Sequence, residues 1–181
     1  NKTLNKSDNI LINDAEILYQ LTTLDNQKAN NNSISDIDIL ECETILREKY
    51  NIPENDSLLI LKQDNKVKNL TSVRYILLNP ITKERLNISV CNNKILINSP
   101  VELNEHIASL VEQLKAQDYD LFNLNDDFYL DVCSIFTTSN GTDIILSDRT
   151  NYYPNMTLCD SNCNYKGFDI ATRKVQCSCD L

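Results

Sequence analysis

The chain has 181 residues, 41% of them hydrophobic, enough for one domain of ordinary size or two small ones, each with a modest core. Its formal charge is -9, from 17 Lys plus Arg against 26 Asp plus Glu, and no basic stripe offsets it, which argues against nucleic acid or an anionic membrane as partner. Gly is confined to Gly141 and Gly167 and Trp is absent, so Gly-rich phosphate loops and Gly-punctuated solenoids are excluded, and with them the common nucleotide-binding enzymes.

In chain order, residues 1–35 read as a polar, Asn-rich arm with one strand in "AEILYQLTT" (15–23) and a low-complexity run "NQKANNNSIS" (26–35). An open arm of this kind suits strand addition to a neighbouring module. Residues 36–118 read as an α+β domain. A helix is predicted over 39–50, where Ile39, Cys42, Leu46 and Tyr50 fall at helical spacing, Asp38 can cap, Glu41 follows three residues later and Pro53 provides the stop. The β-branched runs at 57–63, 72–79, 85–91 and 94–98, separated by turn-forming residues, are predicted to be antiparallel strands. Cys42 and Cys91 are the only cysteines of this half and are predicted to pair across a helix packed on a sheet. A second amphipathic helix is read in "NEHIASLVEQLKAQ" (104–117), where Ile107, Leu110, Val111 and Leu114 make one apolar stripe and Asn104 can cap.

From Tyr119 onward regular periodicity fades, and residues 119–181 read as an irregular, cysteine-rich subdomain. Asp120, Asp126, Asp127 and Asp131 cluster there without the order of an EF-hand, and they read as a solvated loop. His106 is the single histidine and stands apart from any cluster of Cys, Asp or Glu, so no triad or histidine metal site can be nominated. No catalytic residue and no cofactor is assigned. Cys159-x3-Cys163-x13-Cys177-x-Cys179 fits paired zinc knuckles badly, because a C-x-C pair is too tight for one knuckle, so a disulfide knot is predicted instead. Residues 166–179 read as a hairpin with Phe168 and Val175 on its two strands, held by Cys177 to Cys159 or Cys163 while Cys133 takes the other. Cys179 is then the odd cysteine, free to pair with sequence beyond Leu181 or with another chain.

Two features speak to compartment. N-glycosylation sequons begin at Asn1, Asn5, Asn31, Asn55, Asn69, Asn87, Asn140 and Asn155, eight in all. Random order of the same composition yields roughly three. Seven cysteines, five of them between Cys133 and Cys179, point the same way, to an oxidising, glycosylating pathway. No apolar run in this segment approaches the roughly 20 residues that span a bilayer. The start at Asn1 rather than Met fits a processed product or a piece of a longer protein.

The strings "CETILREKYNIPENDSLLILK", "NPITKERLNISVC", "DYDLFNLNDDFYLDVCSIFTTSNGTDIILSDR" and "NMTLCDSNCNYKGFDIATRKVQCSC" resemble a module of long cysteine-rich surface proteins of unicellular eukaryotes, ciliate- or trichomonad-like, over residues 16 to 179. The resemblance implies an extracellular module, repeated or joined to further cysteine-rich segments and a membrane anchor, and brings no functional residues with it. The expected fold is α+β: two amphipathic helices on a small antiparallel sheet, followed by an irregular disulfide-braced subdomain. The expected role is a non-enzymatic structural module of a secreted or cell-surface protein, with N-linked glycans and copies of itself or neighbouring modules as partners, assembling into a cell coat or filament. The competing expectation is a ligand-binding adhesin or receptor ectodomain that uses the loop 119–131 or the Tyr152, Tyr153 pair as its contact.

Overall fold

The computed structural model describes residues 9–27, 32–91, 94–138 and 140–180. The first sheet is antiparallel and contains β1 (Ile10–Asp14), β2 (Ile17–Thr23), β4 (Leu59–Val67) and β5 (Leu70–Leu78), in the order β1-β2-β4-β5. Residues 10–23 are therefore no open arm. Their hairpin lies on β4 through a ladder running from Ile17↔Asn65 to Thr23↔Leu59, which satisfies backbone groups that a free strand would leave to water. The hairpins turn at Ala15 and Lys68, both at positive φ. Eight non-glycine residues adopt positive φ among the described residues, a consequence of having only two glycines; three of them, Asn51, Asp118 and Asn155, are types that tolerate it.

The predicted first helix forms as α2 (Cys42–Tyr50), after a short α1 (Leu24–Gln27). It starts three residues later than expected, because Asp38 accepts from the Leu40 amide at 2.9 Å and holds a turn there. The run 85–91 is not a strand. Asn87 accepts from the Ser89 amide (3.0 Å) and hydroxyl (2.7 Å), which draws 88–90 into a single 3-10 turn and leaves only Arg85 bridged to Leu78.

The second sheet draws on both ends of the chain: β3 (Asp36–Asp38), β6 (Ile95–Pro100), β7 (Cys163–Asp169) and β8 (Lys174–Cys179), in the order β3-β6-β8-β7. The last strand thus sits between β6 and β7. The first sheet joins strands of 1–35 to strands of 36–118, and the second joins strands of 36–118 to strands of 119–181, so boundaries at 35 and 118 do not divide the structure. The second predicted helix forms as α3 (Glu105–Lys115), with Asn104 accepting from the Ile107 amide at 2.9 Å. Short helices α4 (Asp127–Leu130) and α5 (Leu146–Arg149) follow. The fold is mixed α and β, with two four-stranded antiparallel sheets and five α-helices among the described residues, in place of two helices on one sheet.

One core joins the layers. Ile60 and Leu77 from the first sheet, with Leu58 just ahead of β4, meet Ile37, Ile95, Ile97 and Val175 from the second, with Leu46 of α2 and Leu114 of α3 closing the sides. A polar seam runs along one border of this core. Lys62 and Asp64 alternate in phase with Leu58 and Ile60 and are therefore carried inward, to 1% and 5% exposure. Asp64 accepts from the Ser35 amide (2.8 Å) and hydroxyl (2.6 Å), and Lys62 donates to the Ser35 carbonyl and, at 3.3 Å, to its hydroxyl. The adjoining Asp36 takes the Lys174 ammonium at 2.8 Å and the Asn98 amide at 2.7 Å, so β4, β3, β6 and β8 are tied through two neighbouring residues.

Burial pulls the Lys62 ammonium down to about 8, against the opposing influence of Asp64 and Asp36. Between that value and the unperturbed 10.5 the unfolded chain binds more protons than the folded one, so stability rises with pH through this window. In denaturant unfolding at a series of pH values, the wild type should gain about 3 kcal/mol across the window relative to Lys62→Met. Parallel pH profiles for the two proteins would contradict this reading.

Candidate functional site

Six of the seven cysteines close three disulfides. Cys42–Cys91 fastens the first residue of α2 to the end of the 3-10 turn and closes a 49-residue separation. Cys159–Cys177 and Cys163–Cys179 brace the terminal hairpin. The register of β7 on β8 sets Cys163 directly opposite Cys179, with Cα atoms 4.1 Å apart, which leaves Cys163 no freedom to reach Cys133. Cys179 is consequently paired, and the odd thiol is Cys133, exposed in the turn after α4 where Asp131 accepts its amide at 2.8 Å. Both assignments correct the expectation from spacing.

The sequons have a common placement. Asn55, Asn69, Asn87, Asn140 and Asn155 are all exposed and all lie outside the strands and α-helices; Asn69 stands at the tip of the β4–β5 hairpin. Asn1, Asn5 and Asn31 lie outside the described residues.

The acidic stretch after α3 serves the backbone. Asp120 accepts from the Phe122 amide (3.0 Å), Asp126 from the Phe128 amide (2.9 Å) and Asp143 from the Phe136 amide (3.0 Å). Among the described residues no group of three or more His, Cys, Asp or Glu side chains is placed to hold a metal ion. Phe128, fully buried, is the hub of this region, with Tyr119, Tyr129, Phe136 and Tyr152 packed around its ring. Arg149, 2% exposed, lies 5.4 Å from the Phe128 ring centroid and donates to three carbonyls, those of Ile144 (2.9 Å), Phe128 (3.1 Å) and Ser134 (2.6 Å). One guanidinium therefore gathers three loop segments that have few ladder bonds of their own. Tyr165 on β7 donates to both oxygens of Asp120 at 2.9 Å, joining the irregular region to the second sheet. Burial, followed by the Asp120 charge, holds that phenol well above its usual range.

An open groove of about 780 Å³ runs between α3 and the segment 143–154. His106 lies at its edge with Asp143, Asp148, Tyr152 and Tyr153. The two tyrosines are anchored edge-on against Phe128 and Tyr129, with centroids 6.5 and 6.2 Å away, so each presents part of its ring. Carboxylates and aromatic edges in an open groove suit the binding of a polar ligand. In the loop 119–131, by contrast, Phe122, Phe128 and Tyr129 are buried, and the Tyr129 hydroxyl donates to the Leu121 carbonyl at 2.7 Å. Only the Tyr152, Tyr153 half of the expected contact reaches a groove.

Sequence reasoning passed over Lys62, Asp64 and Arg149. For the first two a signal existed, namely charged residues in phase with an apolar alternation in "SLLILKQD". For Arg149 there was none, since its partners are main-chain carbonyls scattered over 128–144, with the Asp143 carboxylate 3.5 Å away.

Comparison with protein-family models, with curated proteins and with solved structures returned no match to the chain.

Arg149→Lys keeps the charge and loses the three-way fork, so it should cost about 2 to 3 kcal/mol in denaturant unfolding. A loss below about 0.5 kcal/mol would show that these carbonyls find other partners.

Proposed function

We propose that the chain is a non-enzymatic structural module of a secreted or cell-surface N-glycosylated protein, of the kind that packs into a coat or filament. The observation that carries this reading is the division of labour between two residue types. Six cysteines are spent on bracing a two-sheet body, while every sequon asparagine among the described residues stands exposed in a turn or loop where a glycan meets no secondary structure. Three disulfides fit an oxidising compartment, and among the described residues no helix is long and apolar enough to cross a membrane. The resemblance of residues 16 to 179 to modules of cysteine-rich surface proteins implies an extracellular placement, in keeping with this compartment.

A second reading rests on the groove between α3 and 143–154, whose tyrosine edges and carboxylates suit a polar ligand such as a glycan. Saturable binding on a glycan array, abolished by Tyr153→Ala at unchanged melting temperature, would make recognition the primary role.

Mass analysis and peptide mapping of native material, first unreduced and then reduced with glycosidase, tests the leading proposal. The expected result is linkage of Cys42 to Cys91, Cys159 to Cys177 and Cys163 to Cys179, one alkylatable thiol at Cys133, and glycan on several of the five exposed sequons. Seven free thiols without glycan would remove the extracellular assignment.

A further inference from the structure

The first sheet has two unlike faces. Its inner face carries Ile60, Lys62 and Leu77 inward, whereas its outer face carries the alternate residues of each strand. The solvated face of an antiparallel sheet is ordinarily polar. Here the register aligns Ile10, Leu21, Leu61 and Ile76 in one apolar row across all four strands. Ile12 and Tyr19 extend the apolar area into the next row, which ends on Gln63 and Arg74. Ile10 and Ile12 are 47% and 59% exposed, Leu21, Leu61 and Ile76 are half-buried, and none of these residues joins the core between the sheets. None of the five described sequons falls on a strand, so their glycans would border this face without covering it.

We infer that the outer face of the first sheet is the interface of a homodimer, formed by stacking two copies of the sheet about a two-fold axis parallel to the strands. The face is complementary to itself under that operation and its charges decide the choice of occupant. Such an axis lays β1 over β5 of the partner and β2 over its β4. Ile10 then meets the partner's Ile76 and Leu21 meets the partner's Leu61, so the apolar row stacks on its own reversal. The exposed charges fall at opposite edges: Asp14 on β1 and Arg74 on β5, one row apart in register. The same rotation brings Asp14 beside the partner's Arg74 at both rims, giving two ion pairs, and sets it over the partner's Ser72, whose hydroxyl donates to Asp160 at 3.0 Å and makes that carboxylate the nearest like charge. Four strands at their usual spacing make a face of about 400 Å² in projection, about 800 Å² over both copies, the size of a weak or transient interface whose dimer forms only as concentration rises. β1, an edge strand with neither Lys nor Pro to deter pairing, borders the contact.

This inference does not rest on the extracellular role, since the contact needs neither a glycan nor a disulfide between chains. It is tested by sedimentation equilibrium of the full chain carrying Cys133→Ser, which removes the free thiol as an alternative link. A concentration-dependent dimer is expected, converted to monomer by Leu61→Asp. Asp14→Arg and Arg74→Asp should each weaken dimerisation by at least about tenfold, because each turns both rim pairs into like charges. An equimolar mixture of the two variants, and the double variant alone, should restore it. A chain that stays monomeric up to high micromolar concentration overturns the inference, as does a dimer that the charge reversals leave untouched or that mixing fails to rescue. A monomer bearing glycans and three disulfides would overturn this interface alone and leave the extracellular reading in place.

Discussion

The six residues Lys174–Cys179 hydrogen-bond on both sides, to β6 and to β7, and the second sheet exists only through them. Without β8, β3 and β6 would be a two-stranded remnant and β7 would have no partner. This strand also carries Cys177 and Cys179, each bonded back to the segment 159–163, and Val175, fully buried in the core. Ladder pairing, cross-linking and burial thus coincide on one short stretch. Pairing 95–100 with 174–179 also closes a long loop before it gains any contact, so the topology favours slow folding in which the sheet completes late.

The remainder of the molecule supports that closure by two polar devices that replace what a larger apolar core would supply. Ser35 and Asp36 stand at the joint between the sheets, one bound to the Lys62, Asp64 pair on β4 and the other to Lys174 on β8. Burying Lys62 is unfavourable by itself, and the cost is offset by its hydrogen bonds to the Ser35 carbonyl and hydroxyl and by the neighbouring Asp64 and Asp36 charges. In the irregular region Arg149 does for loops what a ladder does for strands, by satisfying carbonyls that have no strand neighbour. In the same region Asp120, Asp126 and Asp143 each accept from a backbone amide, so these carboxylates also help to hold the loops.

What was legible in the sequence was local. The stripe Ile107, Leu110, Val111, Leu114 with Asn104 ahead of it reads directly as α3, and the hairpin that sets Phe168 against Val175 follows from a short turn between two β-forming runs. What escaped was partnership between distant segments. Nothing in "DIDIL" marks 36–38 as an edge strand for β6, and nothing in the run from Cys163 to Cys179 says that β8 will enter between β6 and β7. The cysteine assignment failed for the same reason: spacing limits which loops can close, but the facing of Cys163 and Cys179 is a matter of strand register, and that left Cys133 unpaired. The 85–91 run misled because a side chain two positions from Ser89 outcompeted the sheet. The outer face of the first sheet was visible in part, since "SLLIL" is apolar at successive positions and so must place hydrophobic residues on both faces of any strand it forms.

A body braced in this way suits the structural role proposed for it, in which glycans at the exposed sequons would stand off the turns and the apolar outer face of the first sheet would be left for assembly. Its premise is that the two sheets are one cooperative unit closed by the last strand. The most direct measurement is native-state hydrogen exchange of the disulfide-intact chain, followed strand by strand under increasing denaturant. One unit requires the slowest amides of β2, β4, β6 and β8 to open together, with a common free energy and a common dependence on denaturant. Independent opening of the β7–β8 pair at markedly lower free energy, with β2 and β4 still protected, would show two separable halves and contradict the closure of the fold by its C-terminal strand.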